Sequence, residues 1–234
     1  MKQMISIVIP CHNEEEGIEH VLDNIPQAKL DRLGYETEVL VVDNNSTDNT
    51  VTLAKGKGAR VIHEDKQGKG CALITGFQSV DPDTTFIVTM DGDDTYKGHE
   101  IIRMIEPLEH DFCDIVVGSR LGGKMHDAAL VLHHRLANWA FTFLVRQFYN
   151  ANITDTLSGY FSFKKNALLE LIPHLDSTDF SIEMEMITKA KKIGLDLHSV
   201  PITYDRRRGQ SKLESYADGM KILNTFFRNT MWRP

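Results

Sequence analysis

Short apolar runs alternate with segments of helical spacing along the first half of this chain, and that alternation constrains the fold more than any other feature. Ile5 to Ile9, Glu38 to Val42, Ala59 to His63, Phe86 to Met90 and Asp114 to Val117 read as strands. Between them, Glu14 to Asn24, Asp48 to Lys57, Lys69 to Ser79 and Gly98 to Glu109 carry helical spacing, several opening with Asn, Asp or Gly at cap positions. Strands alternating with helices of this length form a parallel sheet covered by helices, so the fold class is α/β. A length of 234 residues, 41% of them hydrophobic, suffices to bury a core as one large domain or two merged lobes.

After Arg120 the texture changes, and a second lobe is expected. Ala128 to Tyr149 is a long, mostly apolar segment, Tyr160 to Phe163 is strand-like, and Ile182 to Ile193 reads as a helix ended by Gly194. Leu197 to Tyr204 reads as a strand, with Pro201 placing it near a sheet edge. The tail from Tyr216 to Pro234 is expected to be helical through about Phe227.

Composition excludes several functions. A formal net charge of -7 without a long basic block argues against a nucleic-acid binder. Cys11, Cys71 and Cys113 are far apart and form no CxxC, which suggests neither a disulfide framework nor structural zinc and fits a reducing, cytoplasmic setting. The apolar run at the N-terminus is too short for a signal peptide or a membrane span, and no other stretch reaches spanning length without charges.

The chemistry concentrates at Asp91-Gly92-Asp93-Asp94, directly after an apolar strand. Carboxylates this close repel one another unless a cation neutralises them, which points to a metal-phosphate site; Asp-Gly followed by polar residues is also ordinary turn chemistry. The first strand-to-helix turn, Pro10 to Gly17, contains no GxGxxG, and no GxxxxGK[ST] loop occurs anywhere, so both glycine-loop nucleotide classes are disfavoured. A divalent ion held by Asp91 and Asp93 can bridge two phosphates in place of such a loop. Asp43 sits at the carboxyl end of the second strand, where a carboxylate can accept hydrogen bonds from a base or ribose, whereas Ser46, Thr47 and Asp48 read as a turn and helix cap.

Taken in order, Ile7 to Glu15, Val41 to Asp48, Gly68-Lys69-Gly70, Asp91-Gly92-Asp93 and Gly118-Ser119-Arg120 resemble family 2 glycosyltransferases. Asp155 to Phe161 and Val200 to Leu213 are similar to the branch that glycosylates dolichyl or polyprenyl phosphate. The resemblance implies the GT-A nucleotide-sugar fold as a single catalytic domain over 1–215, with a nucleotide-binding half at 1–120 and an acceptor-binding half at 121–215. A helical tail at 216–234 follows, without a transmembrane domain. It further implies that Pro10, His12, Glu14, Asp43, Asp91, Gly92, Asp93 and Arg120 contact the nucleotide sugar. Asp91 and Asp93 would hold Mn2+ or Mg2+, while Arg135, Arg206 and Lys212 would clasp the acceptor phosphate. Asp93, Asp155 and Arg135 are the residues expected to carry catalysis.

The reaction implied is inverting transfer of a hexose from GDP-mannose or a UDP-sugar to a lipid phosphate. Such an acceptor is already largely dianionic at neutral pH and hardly needs a general base. A saccharide or lipid-linked oligosaccharide hydroxyl would need one, with Asp155 first in line and Glu183 or Glu185 second. A non-catalytic nucleotide-sugar-binding module is a third reading. The acceptor places the protein peripherally on the cytoplasmic face of a membrane. Met220, Leu223, Phe226 and Phe227 with Lys221 and Arg228 fit either an interfacial helix or one packed on the core, and the apolar Ala137 to Phe148 leaves the same choice open.

Overall fold

The computed structural model describes residues 2–126, 129, 131–209, 212 and 215–234. The start of the expected apolar segment at Ala128, and residues 210–211 of the basic loop, lie outside them. In chain order the elements are β1 (Gln3–Cys11), α1 (Ile18–Asp23), α2 (Gln27–Arg32), β2 (Tyr35–Asp43), α3 (Thr50–Gly56), β3 (Arg60–His63), α4 (Lys69–Gln78) and β4 (Thr84–Thr89). They continue with α5 (Ile101–Glu109), β5 (Ile115–Met125), α6 (Leu132–Tyr149), β6 (Phe161–Lys164), α7 (Lys165–Leu171), α8 (Ile182–Lys192), β7 (Leu197–Tyr204) and α9 (Ser215–Met231). One seven-stranded sheet runs β3-β2-β1-β4-β6-β5-β7. Strands β1 to β4 pair in parallel, as do β5 and β7, while β6 is antiparallel to both neighbours.

Both faces of the sheet are covered, and the period-2 alternation of the strands decides which side chain goes where. From β1, Ile5, Ile7 and Ile9 join one core with α1, α2 and α5; Val8 points into the other, with α4, α7, α8 and α9. Each such fully buried aliphatic side chain is worth roughly 1.5–3 kcal/mol, and the one polar residue of the Ile5–Ile9 run, the buried Ser6, hydrogen-bonds Glu38 and Thr84.

Several elements depart from expectation for identifiable reasons. The first helix starts at Ile18 rather than Glu14, because Glu14 to Gly17 form a turn held by the Glu14 N–H donating to Thr50 Oγ1 at 2.8 Å. The unexpected α2 buries only Leu30, too little to show as an apolar period. Strand β5 extends to Met125, past residues 120 and 121 where the two halves were expected to divide, and its register against β7 shifts between Ser119 and Lys124. Pro201 does lie on an edge strand, β7, where its missing N–H costs no ladder bond.

Of the two readings of the tail, packing on the core describes α9. Phe226 and Asn229 are fully buried, Tyr149 Oη donates to the Phe226 carbonyl at 2.8 Å, and Asn229 Nδ2 donates to Thr188 Oγ1 at 2.8 Å. Among the described residues no helix is long and apolar enough to cross a membrane.

Candidate active site

The chain runs from β1 outward to β2 and β3, then returns to β4 on the opposite side of β1, which sets the loops after β1 and β4 side by side at the carboxyl edge of the sheet. The two loops also touch. A Cβ on Gly17 would lie 2.5 Å from the Gly92 carbonyl oxygen, and one on Gly92 would lie 2.8 Å from Cys11 Sγ, so only glycines allow this approach. Within the turn after β4, Asp94 takes φ 62° and Asp93 Oδ1 accepts from the Thr95 N–H at 3.1 Å and Thr95 Oγ1 at 2.6 Å. The segment after β7 lies across this turn, with the Arg208 N–H donating to the Asp93 carbonyl and the Asp205 N–H to the Thr95 carbonyl, both at 3.0 Å.

Every carboxylate of the turn has a cationic partner. Lys69, the first residue of α4, sits 2.7 Å from Asp91 and 2.7 Å from Glu183. It reaches them because Gly68, at φ +137°, lets the backbone pass against the Thr178 carbonyl and brings α8 alongside. Arg207 Nη2 is 2.9 Å from Asp93 Oδ2, yet no N–H is aligned on that oxygen, which is buried without a hydrogen bond. Arg208 pairs with Asp94 at 3.0 Å, and Lys212 pairs with Glu14 while donating to the Asn13 carbonyl at 2.9 Å.

Burial works to raise the Asp91 carboxyl, but Lys69, with Arg207 and Arg120 behind it, outweighs that and holds it below the usual carboxylate range. Burial and repulsion from Asp91 push Asp93 the other way. Glu183 is raised by burial against the pull of Lys69. Burial, with repulsion from Asp93, also pushes Glu14 up to about 7 even though Lys212 opposes it. Lys69 is raised: its carboxylate partners Asp91 and Glu183 overcome the cost of burying an ammonium.

Two cavities meet at these charges. The first, of about 230 Å³, is lined by Pro10, His12, Glu14, Asn44, Gln67, Lys69, Asp91, Gly92, Asp93, Phe180, Arg207 and Lys212. The second, of about 490 Å³, is lined among others by Lys69, Asp91, Tyr96, Arg120, His134, Asn138, Phe141, Phe180, Glu183, Tyr204, Arg206 and Arg207. Lys69, Asp91, Phe180 and Arg207 belong to both and form the wall between them. Most of the site residues expected from the sequence thus converge. Lys69, Arg207, Tyr96 and Asn138 were missed as site residues; the available signals were Gly68-Lys69-Gly70, which carried the resemblance without a role for its lysine, and the position of Arg207 beside the expected Arg206.

Four expectations fail on placement. Asp155, first choice for a base, is fully buried and lines neither cavity. Its oxygens accept from Arg120 Nε at 2.8 Å, Arg120 Nη2 at 2.9 Å, the Arg120 N–H at 2.9 Å and Asn138 Nδ2 at 2.6 Å, which leaves no approach for a substrate proton. Glu185 is sealed likewise, accepting from the Asp176 and Ser177 N–H groups and pairing with Lys189 at 2.7 Å and Arg228 at 3.1 Å. Arg135 is exposed on the face of α6 turned away from the second cavity, since α6 is amphipathic and its cavity side carries His134, Asn138 and Phe141 instead. Asp43 is at the end of β2 as expected, but its oxygens are taken by the Ser46 N–H at 3.2 Å and His63 Nδ1 at 2.9 Å, and Asn44 lines the cavity in its place.

The model of the glycosyl transferase family 2 matches residues 6–172. The chain belongs to that family. Among its relatives, the low-salt glycan biosynthesis hexosyltransferase Agl6 of Haloferax volcanii is 33% identical over 226 residues, covering 96% of this chain and 53% of that protein. This chain therefore spans about half of Agl6. The dolichyl-phosphate hexose transferase of the same organism is 32% identical, covering 93% of this chain and 90% of its own length. Among solved structures, glucosyl-3-phosphoglycerate synthase of Mycobacterium tuberculosis in complex with Mn2+, UDP-glucose and phosphoglyceric acid superposes with a TM-score of 0.75 at 22% identity, over 99% of this chain and 81% of that one. That likeness shows the fold, which is GT-A.

Two outcomes follow from the geometry of this glycosyltransferase. Asp155→Asn leaves the buried Arg120 short of its counter-charge and is expected to cost about 3–5 kcal/mol in urea unfolding; unchanged stability with lost transfer would return Asp155 to the role of base. Ionising Glu14 disfavours the folded state, because its carboxyl titrates at about 7 when folded against 4.5 ordinarily. The stability it contributes is full below the lower value and lost as pH rises through the upper one, so Glu14→Gln should gain stability relative to the parent across that window and hold it above.

Proposed function

We propose that this chain is an inverting, metal-dependent hexosyltransferase that moves a sugar from a nucleotide diphosphate donor, GDP-mannose or a UDP-sugar, to dolichyl or polyprenyl phosphate for glycan assembly such as protein glycosylation. The observation that carries the reading is the shared wall of Lys69, Asp91 and Arg207 between the two cavities. A donor laid across it has its nucleotide in the first cavity, its diphosphate at the charges and its hexose in the second. The name of the dolichyl-phosphate hexose transferase among the relatives supports a lipid-phosphate acceptor, and that of the glycan-biosynthesis hexosyltransferase supports a role in glycan assembly.

The residues present fit a hard divalent ion. Asp91 and Asp93 offer carboxylate oxygens, and Asp93 Oδ2 is buried without a hydrogen bond. Among the described residues no three acidic, His or Cys side chains group to hold a metal by themselves, so the donor's phosphates and water would complete the shell, as is usual for Mg2+. When bound, the ion supplies charge neutralisation for the departing diphosphate.

In the transfer, an oxygen of the acceptor phosphate forms a bond to the anomeric carbon as the bond from that carbon to the nucleotide diphosphate breaks, the electron pair leaving with the diphosphate. Lys69, on the wall between the cavities, faces the place where that charge develops and stabilises it. Arg206, on the second cavity, and Arg207, if exchanged from Asp93, are placed to hold the acceptor phosphate. No proton has to be removed from a phosphate dianion, in keeping with a sealed Asp155. For a hydroxyl acceptor, Glu183 is the one of the three base candidates that lines a cavity, and it is locked to Lys69. Family membership speaks against a non-catalytic module.

The test is a mass-spectrometric screen of GDP-mannose, UDP-glucose and UDP-N-acetylglucosamine against dolichyl and undecaprenyl phosphate with Mn2+ or Mg2+. A glycosyl-phosphate lipid should form with one donor, and Asp93→Ala and Lys69→Met should each lower its rate by about a hundredfold or more. Product only on saccharide hydroxyls would overturn the reading.

A further inference from the structure

Helix α6 has two unlike faces. One closes the second cavity through His134, Ala137, Asn138 and Phe141. The opposite one carries Leu132, Leu136, Trp139 and Phe143, which are 69%, 60%, 64% and 52% exposed. Spacings of four, three and four residues place these side chains on a single stripe, and the Trp139 and Phe143 rings stack with centroids 6.1 Å apart. A monomer rarely leaves so contiguous an apolar surface in water without a use for it.

The charge beside the stripe is selective. Residues 132–149 contain no Asp or Glu in a chain of net charge -7, and the exposed Arg135 and Arg146, eleven residues apart, border the stripe along one flank. An exposed Trp on an apolar line flanked by arginines is suited to the boundary between acyl chains and anionic headgroups, where the rings enter and the guanidinium groups stay at the phosphates. Val131, at the N-terminal end of α6, is 49% exposed and also lines the second cavity, so the apolar surface turns around the helix end into that cavity.

We propose that this outer face of α6 docks the chain onto an anionic lipid bilayer, with the apolar path past Val131 leading a prenyl chain to the acceptor cavity. The inference rests on the lipid-phosphate acceptor proposed above. It also gives Arg135 a place at lipid headgroups instead of at the acceptor phosphate.

The experiment uses the full chain and phosphatidylcholine vesicles with and without phosphatidylglycerol. Co-sedimentation is expected with the anionic vesicles and should weaken by about tenfold or more in the Trp139→Ser, Phe143→Ser double variant. The chain has two tryptophans, so in a Trp232→Phe background Trp139 reports alone; its emission should shift to the blue on anionic vesicles and be quenched by brominated lipid. Transfer to geranyl phosphate in solution should be unchanged in the double variant, while transfer to dolichyl phosphate in vesicles falls with binding. Vesicle binding unaffected by the double substitution, or Trp139 emission unmoved by lipid, overturns the proposal. So does a dimer that Trp139→Ser dissociates in the absence of any lipid effect. Should geranyl phosphate accept no sugar while Trp139 still enters lipid, the docking stands and the acceptor assignment falls.

Discussion

Buried carboxylates at the carboxyl edge of β1 and β4 set the terms for the rest of this molecule. Asp93, Glu183 and Glu14 are buried and Asp91 nearly so, and removing the partner of one such charge costs about 3–5 kcal/mol. The fold brings cations to them from distant segments: Lys69 from the start of α4, Arg207 and Lys212 from beyond β7. Reaching this centre with those segments requires β7 at one sheet edge, the segment before α8 laid against the start of α4, and glycines where backbones touch.

The same lattice explains how one crevice becomes two cavities. Lys69 bridges Asp91 and Glu183, so a single ammonium ties the turn after β4 to α8 and stands between the first and second cavities. Behind it, Arg120, Asp155 and Asn138 form a second cluster joining β5, the 155–159 segment and α6. Its carboxylate, Asp155, lines neither cavity and holds Arg120 and Asn138 on the wall of the second. Charge near the reaction centre therefore splits into one set that lines the cavities and another that holds the walls.

That split is also where the sequence stops being legible. Alternating apolar runs and caps foretell the α/β class and all seven strands, because each is a local pattern. The acidic turn is equally visible, since Asp91-Gly92-Asp93 lies next to its strand. Which cations meet it is not, because Lys69 and Arg207 are 22 and 114 residues from Asp91 and Asp93 and the pairing depends on sheet order. Three adjacent arginines look alike in sequence, yet Arg206 lines the second cavity, Arg207 meets Asp93 and Arg208 meets Asp94. Asp155 misleads for the opposite reason. A carboxylate in a polar motif suggests chemistry, and only its burial shows that Arg120 saturates it.

On the proposed reading, Asp91 and Asp93 exchange their internal cations for a divalent ion carried with a nucleoside diphosphate. Mn2+ titration followed by electron paramagnetic resonance, with and without UDP or GDP, tests it most directly. Mn2+ should bind weakly to the chain alone and at least about tenfold more tightly with the nucleotide, because the diphosphate completes its shell, and Asp93→Asn should remove the nucleotide-dependent gain. Equal Mn2+ binding in parent and Asp93→Asn, with nucleotide present, would contradict it.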